Sequence, residues 1–424
     1  MKKLAAFFVR WEFLIVVCLI PFWVLFKPMF LPLFILPLVI WGMNFYLEKC
    51  IVPDTIIDTP IKWLSALTIL SAFITPNLED SLPKILGLYL GIAIYYALVR
   101  INLDSIKLDL HKLIFTGILV VGAGIVFLGI AGGRFPEKIP VISDFAKLIQ
   151  ISFLASPSLE YVLHPNALSG VILLIYPTSW YVYYTFKDAD KKLAFFALAV
   201  FLIHSFYLVI AQSRGAWLAI FLTGMLWLVY RGVSKQDWLI IWGPLWVHAG
   251  LLLSVIYVLP KQARLLIYLT KLDLYHTFGQ RIIIWDWALK IWQDFPLTGI
   301  GYNTFRNAAG VLYPRGALTD IDFSHAHNIF LDAGVSLGIG AVFAVGMIWW
   351  LTARYLLDQS KQEDVQNRLA AKGLLLGWMA FFFFNLMDTI PLGSKLGILF
   401  WVFIGIIQVI LKPNKSNSVE RAAR

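Results

Sequence analysis

The sequence predicts an all-α fold, a polytopic membrane bundle of about twelve transmembrane helices, and three observations carry that expectation. Apolar residues make up 60% of the chain and charged residues only 14%, where a soluble domain carries about a quarter charged. Apolar runs close to the ~20 residues that cross a bilayer as helix recur along the whole length. Lys and Arg gather on alternate connections between those runs, as orientation by positive charge requires.

The first run, 7–26, follows a basic start. No small-residue cleavage site follows it, and Lys27-Pro28 leads straight into the next run, so it reads as a first transmembrane helix rather than a leader. Further spans are expected at 29–47, 61–75, 82–99, 113–131, 164–184, 193–211, 215–230 and 238–259, then at 327–353, 372–390 and 394–411. This divides the chain into 1–259 with a shorter outer loop at 132–163, a long outer loop at 260–326, a final membrane section at 327–411, and a polar tail at 412–424. Connections expected inside carry Arg100, Lys112, Lys187, Lys191, Lys192, Arg231, Arg354 and Arg368, whereas the short outer turns 76–81 and 391–393 carry no Lys or Arg. The termini are therefore expected in the cytoplasm. The same rule accounts for much of the net charge of +10 without a nucleic-acid partner. Cys18 and Cys50 lie in or beside early spans, so no disulfide framework is implied.

The two long outer loops are nonetheless cationic, with Arg134, Lys138 and Lys147 in the first and Arg281, Lys290, Arg306 and Arg315 among others in the second. A solvated loop surface is one reading; an outward pocket for an anionic ligand is the other. From Arg281 the run RIIIWDWALKIW sets Ile282, Trp285, Leu289 and Trp292 on one helical face, suited to the membrane interface or to packing on the bundle. Pro296, Gly299 and Gly301 end it.

Arg214 stands at a tight outer connection between two apolar runs, with no acid nearby in sequence. An arginine there snorkels, pairs or faces a wet cavity, and its planar fork of donors suits phosphate oxygens. Arg281, read as the start of the loop helix, would add free backbone N–H groups that also favour an anion. His325 and His327 lie in FSHAHNIFLDAG, where the long loop re-enters the membrane. A hydrogen-bonded structural role, a metal pair and a general base all suit histidine here. Only Asp320 and Asp322 stand near as further ligands, so no metal is expected, and the base reading fits better. Lys84, Asn166, Asn328, His204, His248, Asn385, Asp388 and Lys395 are weaker cavity candidates; Asn166 also suits a helix cap, and Asp388 and Lys395 share an outer turn where they can pair.

HPNALSGVILLIYP, SRGAW, RIIIWDWALKIWQDFPLTGIGYNTF and HAHNIFLDAGVSLGIG, in that order, resemble the O-antigen ligase and O-antigen polymerase superfamily of bacterial inner-membrane glycosyltransferases, over about residues 160–345. The resemblance implies a GT-C-like glycosyltransferase with its active site facing the periplasm. It would take a glycan from an undecaprenyl-diphosphate-linked donor and, in ligases, transfer it to the lipid A-core of lipopolysaccharide, inverting and without metal or other cofactor. It implies Arg214 and Arg281 on the diphosphate and His327 on the acceptor hydroxyl, with His325 in support. The Arg-x10-Gly pattern of some polymerase loops is missing, Arg214 to Gly224 being one residue short, which favours ligase over polymerase. A protein O-oligosaccharyltransferase and a small-anion transporter stay open; against transport, no inverted repeat is legible and the cationic loop would have no purpose.

Overall fold

The computed structural model describes residues 1–101, 109–132, 135–151, 164–231, 274–312 and 324–411. The expected span 238–259, parts of both outer loops, His248, Asp320, Asp322 and the tail lie outside the described residues. Among the described residues the structure is helical with no strand. The N-terminal section comprises α1 (Lys2–Arg10), α2 (Glu12–Cys18), α3 (Ile20–Val24), a 3-10 turn over Pro28–Ile35 and α4 (Leu36–Glu48). There follow α5 (Asp58–Ile74), α6 (Leu78–Arg100), α7 (Leu110–Gly132), α8 (Pro140–Ile149), α9 (Pro165–Phe186), α10 (Lys191–Ile210) and α11 (Arg214–Arg231). Beyond the undescribed stretch come α12 (Leu274–Asp294), α13 (Phe305–Leu312), α14 (Ile329–Leu337), α15 (Ile339–Gln359), α16 (Val365–Met387) and α17 (Ile398–Ile410).

Six of these helices are long and apolar enough to cross a membrane, or seven if the first helices, bent by 61°, count as one broken span. The expected spans other than 238–259 fall on described helices, with 7–26 divided among α1, α2 and α3, 29–47 between the 3-10 turn and α4, and 327–353 between α14 and α15. The outer surface is what a lipid-facing bundle requires: Phe73 is 84% exposed, Phe195 74% and Trp350 66%, while Trp378, Phe381, Phe384 and Trp401 are fully enclosed. Helix starts follow local chemistry. Asn77, Asp190 and Asp364 each accept from backbone N–H groups of the first turn of α6, α10 and α16, satisfying donors that a helix start leaves open.

The α9 and α16 pair forms the axis on which the site is built. Their backbones approach so closely at Gly377 that a Cβ there would lie 2.3 Å from the Leu174 carbonyl oxygen. Such contact through small residues is how membrane helices gain packing without a hydrophobic driving force. The expected span 327–353 is broken. The chain turns at Gly338 with φ +80°, leaving α14 as a short helix at the end of α15.

The loop helix also departs from expectation. α12 begins at Leu274, so Arg281 lies inside the helix rather than at its free N-terminus, and the expected backbone contribution to anion binding at Arg281 is absent. Its buried face is Ile284, Trp287, Ala288 and Ile291, packed with Ile300, Phe305, Ala309, Ala326 and Val335. The stripe of Ile282, Trp285, Leu289 and Trp292 lies on its flank, with Ile282 63% and Leu289 44% exposed. The helix is apolar on more than one side, so spacing alone could not choose between faces. Because Ala326 belongs to this small core, α12 fixes the backbone that carries both histidines.

Candidate functional site

Three helix ends meet at one end of the bundle: the starts of α9 and α11 and the finish of α16. His164 caps α9, its Nδ1 accepting from the Asn166 N–H at 3.3 Å. Asn166, expected as the cap, is thereby free to reach sideways. Its Nδ2 donates to Asp388 Oδ2 and its Oδ1 accepts from Ser213 Oγ. Ser213 directly precedes Arg214, so a single asparagine joins the carboxylate to the start of α11.

Asp388 is the centre of the cluster. Its Oδ1 lies 2.7 Å from His327 Nδ1 and accepts from the Thr389 N–H at 3.0 Å. Its Oδ2 lies 3.9 Å from Arg281 Nη2. The carboxylate is thus held by His327, Asn166 and Arg281. Burial alone would raise the Asp388 carboxyl; His327 and Arg281 outweigh it and hold the group below the ordinary carboxylate range. An ionised carboxylate only accepts hydrogen bonds, so His327 Nδ1 donates to Asp388 Oδ1 and the ring turns its Nε2 to the opposite edge.

The loop that offers His327 is pinned on both sides. Asn328 caps α14, accepting from Phe330 N at 3.0 Å and Leu331 N at 3.2 Å, and its Nδ2 donates to the Leu386 carbonyl at 3.1 Å. Asp332 accepts from the Ala326 N–H at 3.3 Å. His327 itself has φ +51°, a left-handed conformation that costs a non-glycine residue roughly 1–2 kcal/mol. His325 offsets this by accepting the His327 N–H on Nδ1 at 3.3 Å, with the two rings 4.4 Å apart. Burial, then the neighbouring His327, push the His325 ring down to about 3, so it stays uncharged at neutral pH.

The surroundings are cationic. Lys138, from the loop 132–163 expected on the outer side, feels the charges of Arg214, Arg281 and Asp388, which brings the two candidate arginines into one neighbourhood. Lys84, on α6, feels Asp332 and Arg306 instead and stands on the His325 side of the cluster. Asn385 is occupied within its own turn, donating to Phe381 O and accepting from Ile390 N. His204 is fully buried, with neither ring nitrogen hydrogen-bonded.

His325, His327 and Asp388 offer atoms within 4.8 Å of one another, a spacing a metal ion could use. Arg281 beside the carboxylate and Lys138 close by work against a further cation, and the Nδ1 atoms of both histidines are already engaged. The chemistry best suited to this arrangement is an oriented base beside an anion-binding rim. Sequence reasoning ranked Asp388 and Lys138 low. Asp388 sits 61 residues from its histidine, and no local pattern links them.

Fold and site define a polytopic α-helical membrane protein with a buried carboxylate–histidine pair under a cationic rim. Residues 197–345 match a family model described as O-Antigen ligase. The chain is also similar to the O-antigen ligase of Salmonella typhimurium, with 25% identity over 359 residues, covering 79% of this chain and 80% of the relative. Both findings place the similarity of this chain with O-antigen ligases. The apolar helices fit a multi-pass membrane protein.

Proposed function

We propose that the protein is an O-antigen ligase, transferring a glycan from undecaprenyl diphosphate to the lipid A-core of lipopolysaccharide on the periplasmic side, with inversion and without a metal. The observation that carries this reading is the 2.7 Å His327–Asp388 contact with Arg281 against the same carboxylate. Asp388 fixes the tautomer in which His327 Nε2 takes the proton of the attacking sugar hydroxyl. Arg281 and Arg214 hold the diphosphate and neutralise the charge that develops on it as the anomeric bond breaks. His325 supports His327 through its backbone, and Asn166 ties Asp388 to the turn that starts with Arg214. Asn328 supports the His327 loop, and Lys84 lines the cavity beside His325. The named relative supports ligase over polymerase.

The test is transfer by the purified protein given undecaprenyl-diphosphate-linked glycan and lipid A-core, with EDTA present throughout. A shift of the lipid A-core band is the expected outcome. Longer lipid-linked glycans with no such shift would make the protein a polymerase, and dependence on added metal would remove the metal-free mechanism.

A further inference from the structure

Gln212 is 1% exposed, stands two residues before Arg214, and has φ +49°, in the left-handed region. Every polar atom of its side chain reaches the first outer loop. Oε1 accepts from Ile139 N at 2.6 Å, and Nε2 donates to Pro136 O at 2.7 Å and to Ser143 Oγ at 3.1 Å. Its backbone carbonyl accepts from Lys138 Nζ at 3.2 Å. The segment 136–143 is thus fastened to the turn that starts α11, and the fastening sets Lys138 in the neighbourhood of Arg214 and Arg281.

An ammonium has three donors, and one is directed at Gln212. Lys138 is half-buried and brings a third positive charge toward two arginines. The carboxylate among them, Asp388, is already bound by His327 and Asn166. Like charges gathered away from water are costly, and an anion with several oxygens relieves that cost for all three at once. A diphosphate has that form.

We propose that Lys138 is a third cation of the donor diphosphate site and that Gln212 is the positioning residue that holds it there. The proposal rests on the donor-diphosphate reading given above. It makes the first outer loop part of the donor site, although no motif in that loop announces it.

The experiment uses the full chain in detergent, with farnesyl diphosphate as the binding probe and lipid-linked glycan for transfer kinetics. Lys138→Met is expected to raise the diphosphate Kd and the donor KM about tenfold, the size of one charge-assisted hydrogen bond. The acceptor KM should stay unchanged, and Lys138→Arg should restore most of the loss. Gln212→Ala is expected to weaken diphosphate binding in the same direction although it removes no charge. Should that variant fail to fold, the two Lys138 variants decide the matter. Wild-type diphosphate affinity in Lys138→Met, beside a clear loss in Arg281→Ala, would overturn the proposal and leave the donor site standing. Unchanged affinity in both variants would overturn the donor-diphosphate reading itself.

Discussion

His327 and Asp388, 61 residues apart in the chain, meet through a 2.7 Å contact between Nδ1 and Oδ1. The contact couples a loop to the end of α16 and decides which edge of the imidazole faces the half-open side of the site, where the His327 side chain is 28% exposed. Replacing Asp388 by Asn keeps the shape but offers an amide that can donate, which permits the opposite tautomer. Asp388→Asn is therefore expected to lower kcat by about 10²–10⁴-fold, the usual share of an oriented acid–base group. Donor KM should change far less. Steady-state kinetics on the purified variant check this, and a KM effect alone would assign Asp388 to binding.

Asn166 holds both Asp388 and Ser213. Asn166→Leu removes both bonds at once and leaves a buried carboxylate short of a partner, at a cost of about 1–3 kcal/mol. The expected result is a lower thermal midpoint together with a fall in kcat of at least about tenfold. A fully active Asn166→Leu would show that the link between α9 and α16 is dispensable.

Burial, with Arg214 and Arg281 beside it, pushes the Lys138 ammonium down to about 8. It is charged at neutral pH and becomes neutral as pH rises through that value. Donor affinity should accordingly weaken above about pH 8, whereas in Lys138→Arg it should stay level, because guanidinium keeps its proton. A bound diphosphate favours the charged form, so the break should come at higher pH under saturating donor. Asp388 behaves in the opposite sense. Its folded-state value is depressed, so its share of stability is complete above the ordinary carboxylate value near 4 and is lost only as pH falls through the folded value. Thermal melts against pH should show Asp388→Asn losing that acid-side dependence.

The close approach at Gly377 leaves no room for a side chain against the Leu174 carbonyl. Gly377→Val should destabilise the protein by about 1–3 kcal/mol, the usual cost of overpacking. It should also reduce transfer, because α9 and α16 carry Asn166 and Asp388 at their ends. A thermal-shift series read beside activity checks both effects.

The helical class was legible because apolar run lengths and the placement of Lys and Arg are local properties, and bilayer thickness sets them directly. Arg214 and His327 stood out as polar groups at membrane boundaries, where such residues need a reason, and Arg281 as a cation on the helix of the long loop. Asp388 did not, because its partners Asn166 and His327 come from helices distant in sequence; Asn166 lies 222 residues away. Lys138 looked like any cation of a solvated loop, since the bonds to Gln212 that fix it appear only once the two outer turns are folded together. The buried face of α12 was left open for a related reason. Apolar residues on several sides of a helix leave the choice of buried face to tertiary packing.

The most direct measurement is single-turnover glycan transfer by wild-type protein and His327→Ala, each first shown to bind farnesyl diphosphate. The expected result is equal diphosphate affinity with transfer reduced by about 10²-fold or more in the variant. Transfer at the wild-type rate by folded His327→Ala would contradict the assignment of His327 as the base.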